Sequence, residues 1–415
     1  MEIQKRQTRQ FRVILIIVFL GFLGISMPYL IFPALFLNPE YSILPADWSD
    51  SSRALFLGIA LAAYPLGQFI GSPILGSLSD DYGRKKLLSG SMLLSAFCNL
   101  FTGFAIAWQN LTLLIISRLI AGIMEGNIAI ARAMAADLKT IPKHHSFGKV
   151  NTVTSVAFIL GPLLGGVMAD KNLFEWLTVS TPFYFICIFF FCLTGLAMLV
   201  LDEGVINPCA KVLTFWQRIN LIKRLSLLFS NKRLQFLMLI STCFTLAVDI
   251  FYEFSPVHLT LKWELGPSQL VFYNGIVCFS LAIGSGILPG FFSSRISNRL
   301  AVLLAMGALV LILIGIVLAN SVFPMMLLFA LSGLVIGLTT TLLTVKISDS
   351  VSETIQGEVM GVQMSLRVLG DAMICLLGGA LLLFSSKLIL MVAAGISMVT
   401  MACYALGQKS IPKIK

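Results

Sequence analysis

Charge is what this chain has least of. Asp, Glu, Lys and Arg together make up 12% of its 415 residues, against about 25% in an average soluble chain. Such a sequence cannot cover a water-facing surface of ordinary size, so a solvated globular domain is excluded. Histidine is nearly absent: His144 and His145 fall in one polar connection and His258 stands alone. None has a cysteine or carboxylate at metal-ligand spacing. The eight cysteines are scattered through apolar stretches apart from Cys209, with neither a disulfide framework nor a paired metal motif. A phosphate-binding glycine loop ending in Lys-Ser or Lys-Thr is missing, so no nucleotide-driven motor is expected. These absences leave no soluble-enzyme constellation and call for no cofactor.

Long apolar runs are what the chain has in abundance. Hydrophobic residues reach 58% and the mean hydropathy is +0.94. A helix needs roughly 20 apolar residues to cross a bilayer, and only helices or closed barrels satisfy their backbone polar groups there. The runs are continuous and leucine-rich, without strand alternation, so an all-α polytopic membrane protein is expected. Twelve spans fall at about 12–37, 54–78, 86–107, 110–136, 150–169, 181–201, 235–257, 270–293, 300–319, 322–345, 359–384 and 388–407.

The formal charge of +10 follows this topology and does not imply nucleic acid. With the N-terminus inside, 22 of the 29 cations fall in cytoplasmic segments, and only Arg53, Lys171, Lys262 and Lys387 fall outside. By the positive-inside rule both termini are expected in the cytoplasm, in a multi-pass plasma membrane, the inner membrane of a bacterium. The basic start followed by an apolar run resembles a signal peptide, but the run is too long and has no small-residue cleavage site. It reads as a retained first span.

Residues 202–234 form the one long polar connection. They divide the chain into an N-terminal six-span bundle, 1–201, a cytoplasmic linker, 202–234, and a C-terminal six-span bundle, 235–415. Two such halves around a linker are the organisation of parallel-repeat carriers. A faint internal repeat agrees: Gly290–Arg299 laid on Gly76–Lys85 matches glycine to glycine and cation to cation.

Between spans 2 and 3 the chain reads Gly-Ser-Leu-Ser-Asp-Asp-Tyr-Gly-Arg-Lys-Lys over residues 76–86. Gly76, Asp80, Gly83, Arg84 and Lys85 resemble the loop signature of the major facilitator superfamily, with Asp81 where that family usually has a cation. Span 5 ends in Gly161-Pro162-Leu-Leu-Gly165-Gly166. Proline bends a helix, and glycines permit very close packing. This run resembles the motif of proton-coupled exporters, with Ala157 where glycine is frequent. Pro28, Pro33, Tyr64, Gln68 and Pro73 resemble the tetracycline and multidrug branch. The resemblance covers nearly all of 12–407. It implies two six-helix bundles and alternating access, with a cavity lined mainly by spans 1, 4, 7 and 10, and a gating role for Asp80 against the start of span 11 near Gly357–Gly361. Pro162 with Gly161, Gly165 and Gly166 is expected to pack span 5 tightly against the second half, at span 8.

Ionisable residues inside spans are costly and usually functional. Arg118, Glu125 and Arg132 recur every seven residues along span 4, on one face. At about 1.5 Å per residue, Glu125 is roughly 10 Å from either arginine, too far for contact within the helix. Arg118 resembles the family's coupling arginine, while Arg132 is expected to snorkel to the cytoplasmic surface. Asp249 and Glu253 stand four apart in span 7. Two nearby carboxylates cannot both ionise cheaply in low dielectric, which makes them candidate proton carriers. Arg367 and Asp371 in span 11 are also four apart and can neutralise each other. The aromatics Tyr29, Phe32, Tyr64, Phe251 and Tyr252 suit a pocket for an amphiphilic organic molecule.

These readings converge on proton-driven export of a small amphiphilic molecule or drug by a monomer in the lipid bilayer, with a proton gradient as energy source. The alternatives are an uptake symporter for a metabolite or siderophore, and a transport-dead sensor or scaffold.

Overall fold

The computed structural model describes residues 2–45, 47–138, 143–171, 173–203, 232–350 and 353–407. Their regular secondary structure is all helical, with no strand among the described residues. The elements in order are α1 (Glu2–Ser26, continued by a 3₁₀ turn Met27–Leu30 and by Ile31–Leu37), α2 (Asp50–Tyr82), α3 (Arg84–Ala107) and α4 (Leu111–Met124, resuming as Gly126–Asp137). They continue with α5 (Lys143–Met168), α6 (Thr181–Val200), α7 (Lys232–Trp263) and α8 (Pro267–Gly286, then Leu288–Ser293). The last four are α9 (Asn298–Leu318), α10 (Val322–Ser348), α11 (Glu353–Leu382) and α12 (Ser386–Gly407). Eleven of them are long and apolar enough to cross a membrane, and α5 adds a shorter apolar stretch, Thr152–Met168.

The chain divides into two compact units. The first is Met1–Asn220 with Gly266–Val271, and the second is Leu221–Leu265 with Phe272–Lys415. Most of the expected linker, residues 204–231, lies outside the described residues. Its first acids belong to the first unit: Asp202 accepts hydrogen bonds from Arg6 and Gln10 of α1.

In the first unit α2 and α4 meet along a seam without side chains. A Cβ built on Gly67 would lie 2.1 Å from the Leu119 carbonyl oxygen, and one on Gly71 2.0 Å from that of Ile123. Reciprocally, a Cβ on Gly122 would lie 2.1 Å from the Tyr64 oxygen, and one on Gly126 2.6 Å from Leu75 Cβ. Two small-xxx-small runs thus interlock, the arrangement that lets membrane helices gain dispersion and polar contact without a hydrophobic drive. The second unit repeats the device. A Cβ built on Gly284 of α8 would lie 2.4 Å from the Leu334 carbonyl oxygen, and those on Gly333 and Gly337 of α10 would lie 2.4 and 2.6 Å from those of Val277 and Leu281.

The faint sequence repeat also has a structural counterpart. Gly83 and Ser297, aligned with each other, are the N-caps of α3 and α9. Gly83 joins two helices directly at φ +100°, and a Cβ there would strike Glu203 Oε1 at 2.1 Å. A left-handed backbone favours glycine. Ser297 sits at φ −62° after a longer turn, so it can keep a side chain and cap α9 through the Leu300 amide.

The span 5 glycines divide their contacts. Gly161 and Gly165 face α1, with Cβ positions 1.9 Å from Ser26 Oγ and 2.4 Å from the Met27 oxygen. Gly166 faces the start of α8, where a built Cβ would lie 2.2 Å from Val271 Cγ2 and 2.8 Å from the Pro267 oxygen. Gly165, expected on span 8, therefore packs on α1. Pro162 lies inside the continuous helix α5.

Candidate functional site

Two breaks in helices build the buried site of the first unit. Helix α4 stops at Met124 and restarts at Gly126, leaving Glu125 between the segments with its amide shared by the Ala121 and Gly122 carbonyls. Helix α1 tightens into a 3₁₀ turn at Met27–Leu30, where Pro28 occupies the first turn, and places Phe32 beyond it. The glycine seam brings α2 close enough for Tyr64 to stand beside α4.

Tyr64 fills the gap that spacing along α4 leaves open. The Arg118 guanidinium lies over the Tyr64 ring, 4.3 Å from its centroid, and 5.6 Å from that of Phe32. The Tyr64 hydroxyl donates to Glu125 Oε2. Arg118 and Glu125 are 3% and 4% exposed, so both charges are removed from solvent, where cation–π contact and charge-assisted hydrogen bonds gain strength. Arg118 Nε and Glu125 Oε1 are buried without a hydrogen-bond partner. Both residues line a small pocket with Ser95, Asn99 and Asn127. Its volume, about 10 Å³, is that of roughly one water molecule. The pocket suits a proton or a water and is too small for an organic substrate. Arg132 departs from the snorkelling expected of it: its guanidinium lies 5.4 Å from the Phe22 ring centroid, and its Nε is buried.

The second unit gathers acids. Arg367 Nη2 donates to Asp249 Oδ1 at 3.2 Å, joining α11 to α7. This bond between helices differs from the pairing of Arg367 with Asp371 that spacing suggests, because the α7–α11 packing presents Asp249 to Arg367. Asp249 and Glu253 are 4% and 6% exposed, so Glu253 is inside the unit and not at its rim. Side-chain ligand atoms of Glu253, Asp371 and Cys375 lie within 4.8 Å of one another. Cys375 is a residue that the sequence reading passed over, since its neighbours come partly from another helix. Asp371 four residues before it was the available signal.

The span 2–3 loop is placed in part. Asp80 is helical and its side chain lies outside the described residues, as do those of Gly357–Gly361, its expected partners. Gly76 has open space around its Cβ position. Arg84 and Lys85 are half-buried in the first turn of α3.

A family model described as Major Facilitator Superfamily matches residues 14–374. Among curated proteins, the class H tetracycline resistance protein of Pasteurella multocida is 34% identical over 193 residues, covering 46% of this chain and 44% of the relative. The quinolone resistance protein NorA of Staphylococcus aureus is 32% identical over 182 residues, covering 43% and 41%. The match thus spans less than half the length of either relative. Of the solved structures, the human organic anion transporter MFSD10 (TETRAN) aligns with a TM-score of 0.66 at 18% identity, covering 96% of this chain and 99% of that one. An auto-inhibited POT family peptide transporter aligns with a TM-score of 0.74 at 11% identity, covering 98% of each chain. These structural likenesses show the fold. The chain belongs to the Major Facilitator Superfamily, a class of membrane transporters, not of enzymes.

Proposed function

We propose that this protein exports a small amphiphilic organic molecule in exchange for protons, by alternating access, from a bacterial inner membrane with both termini in the cytoplasm. The observation that carries the reading is the Arg118–Tyr64–Glu125 cluster. It holds one carboxylate in a water-poor pocket with one oxygen bonded and the other free. An incoming proton has a defined acceptor in Glu125 Oε1. Arg118 supplies the positive charge that favours the ionised form, through a tyrosine ring that also carries the hydrogen bond. A change of the Tyr64 rotamer would loosen both contacts, and so make protonation depend on conformation, which coupling requires. The resistance functions of the two curated relatives support the export direction, as does the Gly161–Gly166 run. Asp249, held by Arg367, is the second coupling acid, with Glu253, Arg367 and Asp371 beside it for the proton or for substrate.

Reconstitution in liposomes tests the reading. With an imposed proton gradient, substrate flux and proton flux are followed together over a panel of amphiphilic drugs. Glu125→Gln is expected to end accumulation against a gradient while passive exchange persists. If Glu125→Gln and Asp249→Asn both still concentrate substrate, protons take another path. If accumulation occurs in the opposite sense, the protein is an uptake symporter.

A further inference from the structure

We propose that Glu253, Asp371 and Cys375 form a binding site for a zinc-class divalent cation inside the second unit. Asp371 and Cys375 stand one turn apart on α11, and Glu253 reaches them from α7, so one helix offers an i, i+4 pair and the facing helix completes the set. Helical bundles build their metal centres in this way. The three ligand atoms lie within 4.8 Å of one another. Zinc–oxygen and zinc–sulfur bonds of roughly 2.0–2.3 Å imply ligand separations of about 3.5 Å around a tetrahedral ion. Rotamer adjustments on the order of 1 Å would close the site.

A second observation points to a cation. Asp249 precedes Glu253 by one turn on the same face. Its Oδ1 accepts from Arg367, while its Oδ2 is buried with no hydrogen-bond partner. Asp249 is 4% exposed and within electrostatic reach of both Glu253 and Asp371. Arg367 is hydrogen-bonded to Asp249. A divalent ion at the trio would take the place of the protons that otherwise neutralise neighbouring carboxylates in low dielectric.

The donor set selects the ion. Magnesium and calcium take six or more oxygens, whereas a thiolate with two carboxylates suits zinc, cobalt or cadmium. Three protein ligands leave the fourth position open. That leaves a place for water, unlike the closed four-ligand set of a structural zinc site. The site shares Glu253 and Asp371 with the second coupling group of the export reading, whose carrying observation, Glu125, lies in the other unit.

The test uses the full-length protein in detergent, washed with chelator and titrated with cobalt(II). The parent is expected to bind one ion per chain and to develop a thiolate-to-cobalt charge-transfer absorption. Zinc should displace the cobalt, and about a hundredfold excess of magnesium should not. Cys375→Ser should abolish the band, and Glu253→Gln and Asp371→Asn should each weaken binding by at least about tenfold. A protein keeping Cys375 as its single cysteine should retain the band, which separates ligand loss from misfolding. The proposal is overturned by a parent without the band, by a band that survives Cys375→Ser, by displacement with magnesium, or by a folded single-cysteine protein that lacks it. Drug-driven proton flux measured in chelator fails or persists separately, so the two readings are distinguished.

Discussion

The first unit surrounds its buried carboxylate with cations, and the second sets one half-exposed arginine against its buried carboxylates. Glu125 has Arg118 and Arg132 along the same helix, each guanidinium resting on an aromatic ring. Arg367 has Asp249 as its hydrogen-bonded partner, with Glu253 and Asp371 in the adjoining turns. Both arrangements occur in units that share the same glycine-seamed helix packing. The difference shows that the scaffold does not dictate the sign of the charge it buries. Paired small-residue seams fix where helices run, and the few ionisable residues placed beside them decide what each unit attracts.

Breaking the seam gives the largest expected effect. Gly122→Leu sets a side chain against the Tyr64 carbonyl, which the backbone cannot relieve, at a cost of about 3 kcal/mol or more. Folded protein recovered by size-exclusion chromatography should fall sharply. Normal yield would show that α2 and α4 can part, and would remove the reason Tyr64 reaches Glu125.

Neutralising Glu125, buried in α4, comes next. Glu125→Gln should reduce proton-driven accumulation by at least about a hundredfold, close to 2.7 kcal/mol at 1.36 kcal/mol per decade, with substrate binding retained. Flux in proteoliposomes and equilibrium binding of a fluorescent drug separate the two. Equal loss of binding would make Glu125 a substrate ligand.

Removing the cation of the second unit should have an intermediate effect. Arg367→Gln leaves Asp249 without its charged donor, at about 1–3 kcal/mol. Adding Asp249→Asn should recover much of that stability, as read from thermal unfolding of the two variants. Absence of recovery would mean that Arg367 acts on another partner, with Asp371 the nearest choice.

The smallest effect is expected at the bridge itself. Tyr64→Phe keeps the ring under Arg118 and deletes only the hydroxyl bond to Glu125, worth about 1.5 kcal/mol. The pH dependence of transport should shift with little change in stability. An unchanged profile would leave the ring contact as the sole role of Tyr64.

Spans and charges were legible in the sequence because they are local. Twelve apolar runs and the charges at Arg118, Glu125, Asp249 and Arg367 all stand out along the chain. Their partners do not, since partnership depends on which helices touch. Spacing along α4 correctly keeps Arg118 and Glu125 apart, yet it cannot reveal that a tyrosine from α2 spans the distance. Spacing along α11 offers Asp371 to Arg367, and α7 supplies Asp249. Arg132 reads as a snorkelling cation by its position near a helix end, but a phenylalanine from α1 holds it inward. Cys375 carries no signal alone and acquires one only beside Glu253.

The absence of side chains along the α2–α4 seam also has a mechanical meaning. With backbone set against backbone there is no layer of side chains to slide, so α2 moves together with the stretch of α4 from Leu119 to Gly126. Glu125 lies inside that stretch and is clamped by the seam, so bending in the first unit gathers at the 3₁₀ turn Met27–Leu30. Phe32 stands just beyond that joint, so the rigid pair carries Tyr64, Arg118 and Glu125, and the pliable helix carries the ring that faces the arginine.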